Sequence, residues 1–276
     1  MPTTLRAWPG RRPATGSRLT QRVVGAAGRA ALTALAVDVC WQGVENVPDG
    51  PVILAANHVS YVDFLFVQRA LLGRCRWVRF LSRHDVWDAP GVGRLMDLMG
   101  HVPVDRAAPA AAYLRARSLL EQGEAVGIFP EAGISYSLTV RPLMRGVAAL
   151  ARETGVPVVP VGLFGSQRIY GVWPLDADGN ELGLDRSRGR RVDLVFGEPL
   201  HVAPGTDLTE WTRELGHTLT DVLEGLQALP HHRPRPGEWA PWYPAHLGGH
   251  ALTRAEAHEW DLVPRAAVQP TWGPLD

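Results

Sequence analysis

The chain has 276 residues, 46% hydrophobic and 20% charged, which suits one main globular domain with appendages and excludes a disordered polyelectrolyte. Basic and acidic side chains balance at 28 each, yet Arg6, Arg11, Arg12, Arg18, Arg22 and Arg29 all precede the first acid, Asp38; this basic arm suits an anionic partner. There is no lysine, so every fixed cation is a guanidinium, and Cys40 and Cys75 have neither metal-type spacing nor a disulfide framework, as in a reducing interior.

Residues 1–16, rich in Pro, Gly, Thr and Arg, read as an arm without regular structure. From Arg18 to about Val39 the pattern becomes helical. Arg18, Arg22 and Arg29 fall on one side, with Leu19, Val23, Ala27, Ala30, Ala34 and Val37 opposite. Such a helix suits the plane of a membrane surface, arginines toward lipid phosphates; the alternative is a helix packed on its own domain with a solvated basic side. The longest uncharged stretch before Asp38, Ala30–Val37, is too short to span a bilayer, so the expected location is peripheral, on the cytoplasmic face of the membrane.

After Gly50, short apolar runs alternate with helical patterns. Strands are expected at 52–56, 77–81, 101–104, 125–129, 156–161 and 192–196, with helices over 62–72, 108–122, 146–154 and 209–226. This alternation predicts an α/β fold, a mostly parallel sheet flanked by helices. Residues 230–276 open by interleaving Pro230, Pro234, Pro236, Pro241 and Pro244 with Trp239, Trp242 and Tyr243, a tail that wraps the domain or meets a membrane or partner. Within it, Thr253 and Glu256 predict a capping box, and His246 and His250 stand four apart without a third ligand in pattern. The expected divisions are 1–40 for the arm and amphipathic helix, 41–228 for the main domain and 229–276 for the Pro/Trp-rich tail.

The segment Asn57-His58-Val59-Ser60-Tyr61-Val62-Asp63 sits where a buried strand gives way to a helix, at the strand end where α/β sheets collect reactive groups. A histidine with a carboxylate five residues on can form a base and its orienter. Equally, Ser60 and Asp63 match an ordinary capping box, and His58 could simply satisfy a backbone group. Three further blocks follow, each at a strand end: Gly100 to Arg106, Phe129-Pro130-Glu131-Ala132-Gly133-Ile134-Ser135, and Val158 to Gly162.

In this order the blocks resemble the four motifs of the glycerolipid acyltransferase superfamily, whose best-known members are lysophosphatidate acyltransferases. The resemblance covers about residues 41–200. His58 and Asp63 match the first motif, Val104-Asp105-Arg106 the end of the second, Phe129, Pro130, Glu131 and Ser135 part of the third, and Val158 to Val161 the fourth. It implies a glycerol-3-phosphate (1)-acyltransferase-like fold. It further implies transfer of an acyl group from acyl-CoA or acyl carrier protein to a lysophospholipid hydroxyl, without a covalent enzyme intermediate. His58 would be the base and Asp63 its orienter. Arg106 would hold the acceptor's phosphate and Glu131 would position the acceptor or a basic group, with Asn57, Ser135 and Arg145 as further substrate-binding residues. Ala132, Gly133 and Ile134 depart from the third motif's glycine, threonine and arginine, which opens two possibilities: Arg141 or Arg145 compensates, or the acceptor is a different hydroxyl or amine.

A non-catalytic lipid- or acyl-binding protein of the same fold is the main rival. A serine hydrolase is disfavoured because Gly165-Ser166-Gln167 is no nucleophile elbow, and the sequence has neither a P-loop nor a dinucleotide fingerprint. No nucleic acid, metal or redox cofactor is called for.

Overall fold

The computed structural model describes residues 18–172 and 187–269; Arg6, Arg11 and Arg12 of the basic arm lie outside them. Among the described residues, seven strands form one sheet: β1 Asp38–Gln42, β2 Val52–Ala56, β3 Val78–Arg83, β4 Val102–Val104, β5 Ala125–Ile128, β6 Val158–Phe164 and β7 Arg191–Phe196, in the order β1-β7-β6-β2-β5-β3-β4. From β6 to β4 all pairings are parallel; β7 runs antiparallel to β6, and β1 parallel to β7. Every residue of β2 and β6 is buried, as expected of central strands covered on both faces.

The helices are α1 Arg18–Ala34, α2 Asp63–Leu71, α3 Val92–Met99, α4 Ala110–Glu121, α5 Gly146–Thr154, α6 Gln167–Tyr170, α7 Leu208–Gln227 and α8 Arg254–Asp261. The longest, α7, buries Trp211, Leu215, Leu219, Leu223 and Leu226 on one stripe, and Asp207 caps it by accepting from the backbone N–H groups of Thr209 and Glu210. It approaches β6 closely at Gly162, where a Cβ would stand 2.3 Å from Val222.

β1, α3 and α6 were not expected from the sequence. The helical pattern expected to run to Val39 stops at Ala34, where Ala36 turns left-handed (φ 49°) and Asp38 to Gln42 pair in register with Arg191 to Val195. The division expected at residue 41 therefore falls inside a strand, because β7 needs a partner on its open edge. α1 also docks by a face other than those predicted. Val24 and Gly25 pack toward Leu72 and Leu32 toward the main core, while Val23, Ala27, Ala30 and Ala34 stay exposed along with Arg22 and Arg29.

The tail wraps the domain. Ala240, Tyr243 and Ala251 join the main core, the Tyr243 hydroxyl donates to Gln227 O at 2.8 Å, and the Arg168 guanidinium lies 3.7 Å over the Trp242 ring. α8 begins with the expected capping box, Thr253 and Glu256, and beyond it Val268 bridges to Leu143. His246 and His250 do not converge: His246 faces Glu224 at 3.3 Å, whereas His250 accepts from the Ala240 N–H and packs on Trp239.

Gly127 in β5 leaves room for the Phe80 ring, since a Cβ there would lie 2.3 Å from it. Phe80 stacks on Phe129, which stacks on His58. We therefore expect Gly127→Ala to cost about 1–3 kcal/mol of stability and to disturb the His58 ring, read as a lower thermal midpoint with a shifted His58 imidazole resonance. An unchanged midpoint would show that the core yields around Phe80.

Candidate active site

The site begins where β2 ends. Asn57 is fully buried, and its side-chain amide extends the β2–β6 ladder: Nδ2 donates to Leu163 O at 3.1 Å and Oδ1 accepts from Leu163 N at 2.7 Å. The expected substrate contact is thus replaced by a positioning role, because both ends of the amide are taken by β6 backbone.

The turn that follows lets His58 and Asp63 meet. The fully buried Asp63 carboxylate accepts through Oδ2 from His58 Nδ1 (2.8 Å), Val59 N (2.8 Å) and Ser60 N (2.9 Å). Its Oδ1 accepts from the Ser166 hydroxyl at 2.5 Å. This assigns the His58 proton to Nδ1 and leaves Nε2 as the basic nitrogen. The His58 side chain is 18% exposed, so the ring is held yet reachable. Phe129 covers one face, with ring centroids 4.0 Å apart and planes 16° from parallel.

Glu131, 1% exposed, receives the His58 N–H at 2.7 Å and the Arg141 N–H at 2.8 Å, one on each oxygen. Burial pushes its carboxyl up to about 8, against the opposing pull of Arg141 and the His58 N–H. Its placement ties the first and third blocks together without reaching outward. Ser135 is also fully buried; its N–H donates to His58 O at 2.8 Å and its hydroxyl lies 3.3 Å from that of Ser137.

The cations gather at the ends of β3 and β4. Arg106 is exposed and reaches back to donate to Ala132 O at 2.5 Å. Partial burial, then the nearby Arg83 and Arg141, lower its pKa, and Asp85 opposes them. Arg83 pairs in strand register with Val104, which places it beside the second block. Arg141, only 4% exposed, lies behind the third block: its N–H is held by Glu131, NH1 donates to Ile134 O at 3.0 Å, NH2 donates to Asp261 O, and Nε lies 3.5 Å from Asp261 Oδ1. A Cβ on Gly133 would stand 2.2 Å from that guanidinium, so glycine at 133 makes room for Arg141. Arg145 is not brought into this network. It is exposed before α5 and helps the N–H groups of Glu210 and Thr209 hold Asp207 below its ordinary range.

Two contributors were not singled out from the sequence. Arg83 carried no signal beyond its charge at a strand end. Ser166 lies 103 residues from Asp63, and the only local clue was its place just after the fully buried β6. The histidine of the second block, His101, is structural: burial, then Arg79, push it down to about 3, and Nδ1 accepts from Phe80 N at 3.1 Å.

Comparison with known proteins bears on this arrangement. Residues 38–163 match the family model described as Acyltransferase. The chain is 34% identical over 133 residues to the chloroplastic 1-acyl-sn-glycerol-3-phosphate acyltransferase BAT2 of Brassica napus, an alignment covering 46% of this chain and 38% of that one. To the 1-acyl-sn-glycerol-3-phosphate acyltransferase of Bacillus subtilis it is 29% identical over 161 residues, covering 58% and 72%. The crystal structure of the 1-acyl-sn-glycerophosphate (LPA) acyltransferase PlsC from Thermotoga maritima superposes with a TM-score of 0.61 at 24% identity, covering 76% of this chain and 80% of that one, and shares its fold. The chain spans less than half the length of the plant and algal relatives it matches. The first three blocks lie at the ends of β2, β4 and β5 and the fourth lies within β6, and the match to the Acyltransferase family model over residues 38–163 takes in all four, so this region of the chain is similar to that family.

Proposed function

We propose that the chain transfers a fatty acyl group from a thioester, acyl-CoA or acyl carrier protein, to the free hydroxyl of a lysophospholipid, 1-acylglycerol-3-phosphate being the favoured acceptor. The observation that carries this is the His58–Asp63 pair, whose geometry leaves a single basic nitrogen, Nε2, facing out of a buried network. Nε2 takes the proton from the acceptor hydroxyl as that oxygen attacks the thioester carbonyl. The C–S bond then breaks, and the proton passes from the imidazolium to the departing thiolate. Asp63 holds the tautomer and stabilises the imidazolium that forms. The names of the relatives support the acceptor, and Arg106 supplies charge to hold its phosphate, with Arg83 beside it paired to Asp85.

α1 supports a membrane-surface location for this chemistry. It leaves Arg22 and Arg29 exposed as well as its Val23–Ala27–Ala30–Ala34 side, the two faces an in-plane helix presents to headgroups and acyl boundary. No helix among the described residues is long and apolar enough to cross a membrane.

His58→Ala is expected to reduce transfer by about 10²–10⁴-fold while the fold is kept, measured as lysolipid-dependent thiol release from acyl-CoA. Full activity in a folded variant would refute the base assignment, and thiol release without an acceptor would favour a hydrolase. Ser166→Ala should lower kcat with KM nearly unchanged, because it strips one donor from Asp63 while touching no substrate; a change in KM alone would contradict that role.

Arg106→Ala should raise KM for lysophosphatidate about ten- to hundredfold, since charge-assisted hydrogen bonds contribute about 1.5–3 kcal/mol. Use of an uncharged hydroxyl acceptor should change far less. If lysophosphatidate is inert and a phosphate-free acceptor is acylated, the phosphate assignment fails and the transfer chemistry stands alone.

For the membrane contact, Val23→Glu combined with Arg22→Glu and Arg29→Glu should reduce co-sedimentation with anionic vesicles, and added salt should weaken binding of the unaltered chain. Equal sedimentation of the unaltered chain with neutral and anionic vesicles would exclude headgroup charge as the attraction.

A further inference from the structure

Away from the His58 site, β7 carries a second polar cluster. Asp193 Oδ2 receives His231 Nε2 at 2.7 Å and His232 Nε2 at 2.9 Å, and the three atoms lie within 4.8 Å of one another. Both histidines stand in the turn that leaves α7, where His232 N–H bonds Leu229 O. Their rings are 4.5 Å apart and inclined at 55°, so the same nitrogen of each is aimed at one point from two directions. His232 is buried, with Phe164 edge-on to its ring, and Gly165 leaves it space, since a Cβ there would lie 3.0 Å from His232 Cε1. The His231 side chain is 34% exposed, which leaves one side open to solvent.

We propose that Asp193 Oδ2, His231 Nε2 and His232 Nε2 form a binding site for one zinc-class divalent cation. Two imidazole nitrogens and one carboxylate oxygen are a zinc-type donor set, and a solvent molecule can enter from the His231 side as the fourth ligand. Without the ion, both rings must carry their proton on Nε2 and share one oxygen with the Arg191 guanidinium, whose Nε is 3.1 Å away. One divalent cation replaces those two protons and uses both nitrogen lone pairs. Metal–ligand bonds of about 2.0–2.1 Å set ligand atoms about 3.3 Å apart in a tetrahedron, so each imidazole nitrogen needs to withdraw from Asp193 Oδ2 by only tenths of an ångström, while the two nitrogens, within 4.8 Å of each other, settle at that same spacing. Arg191 can stay as an outer partner, because Nε and NH2 also reach Asp193 Oδ1 and NH1 already holds Asp38. The ion would fasten the start of the C-terminal tail to β7, and from this point the chain continues to α8 and its Asp261 contact with Arg141.

The test uses the full untagged chain, stripped with chelator and titrated with zinc chloride by calorimetry, with cobalt(II) absorption as a second probe. The expected result is one zinc per chain, a raised thermal midpoint, and the visible bands of tetrahedral cobalt. His231→Ala, at the exposed ligand and therefore tolerable to the fold, should weaken zinc binding about 100-fold or more, since outer-partner losses alone cost about 10–100-fold. Asp193→Asn should do the same if its circular dichroism is unchanged. His246→Ala combined with His250→Ala should leave binding intact. Absence of stoichiometric zinc, or zinc binding that survives His231→Ala, overturns the proposal. Neither readout depends on acyl transfer, so this site and the His58 chemistry stand or fall separately.

Discussion

The structure around the site depends on the buried Asp63 carboxylate. A fully buried charge is expensive unless its lone pairs are satisfied, and here four donors satisfy it: two backbone N–H groups of its own turn, the His58 ring and the Ser166 hydroxyl. Asp63 also opens α2, where backbone N–H groups favour negative charge. The two interpretations that the sequence left open, capping and catalysis, therefore describe the same atoms. Oδ2 receives the Ser60 N–H, as the acid of a capping box does, and the same oxygen orients the histidine. Ser60 completes the turn differently from a full box: its hydroxyl donates to Tyr170 O and accepts from the Val62 N–H.

A second buried carboxylate organises the other side of the ring. Glu131 binds the backbone N–H groups of His58 and Arg141 at once, so the ends of β2 and β5 are locked together. The departures in the third block become intelligible from this. The guanidinium that a side chain at 134 would have supplied arrives instead from Arg141, beneath a glycine and against the Ile134 carbonyl. It is committed there, because Asp261 of α8 lies against it with a carboxyl raised by burial and lowered by that same arginine. The tail thus pairs a buried cation behind the third block, while Arg106 stays exposed and Arg83 beside it is paired with Asp85.

How much of this was legible in the sequence differs by element. The apolar runs of β2, β5 and β6 and the stripe of α7 gave their positions within a few residues, because periodicity and burial agree there. β1 was hidden: Asp38 to Gln42 is short, mixed in polarity and continuous with a helical pattern, and only pairing with β7 makes it a strand. α3, eight residues long and entered through Gly91, offers too little periodicity to stand out. In the site, the His58–Asp63 spacing was local and readable, whereas the inward tie that Glu131 makes between the backbone N–H groups of His58 and Arg141 was not. Ser166 was not, nor was the convergence of Asp193 with His231 and His232 across 38 and 39 residues. Only the fold brings such pairs together.

The position of Arg106 carries a geometric constraint. Along the sheet β2 and β4 are separated by β5 and β3, three steps of about 4.8 Å, whereas the hydroxyl and phosphate of a glycerol phosphate are only a few covalent bonds apart. An arginine pointing straight out from β4 could not hold the phosphate while His58 at the end of β2 reaches the hydroxyl. Arg106 instead turns back along the sheet to the Ala132 carbonyl, in the loop after β5, the immediate neighbour of β2. That contact shortens the gap from three strands to about one. For the proposed acceptor, the long guanidinium side chain would have enough donors to keep Ala132 O and still face a phosphate with a planar two-pronged edge; a lysine ammonium there would offer a point charge without that fork.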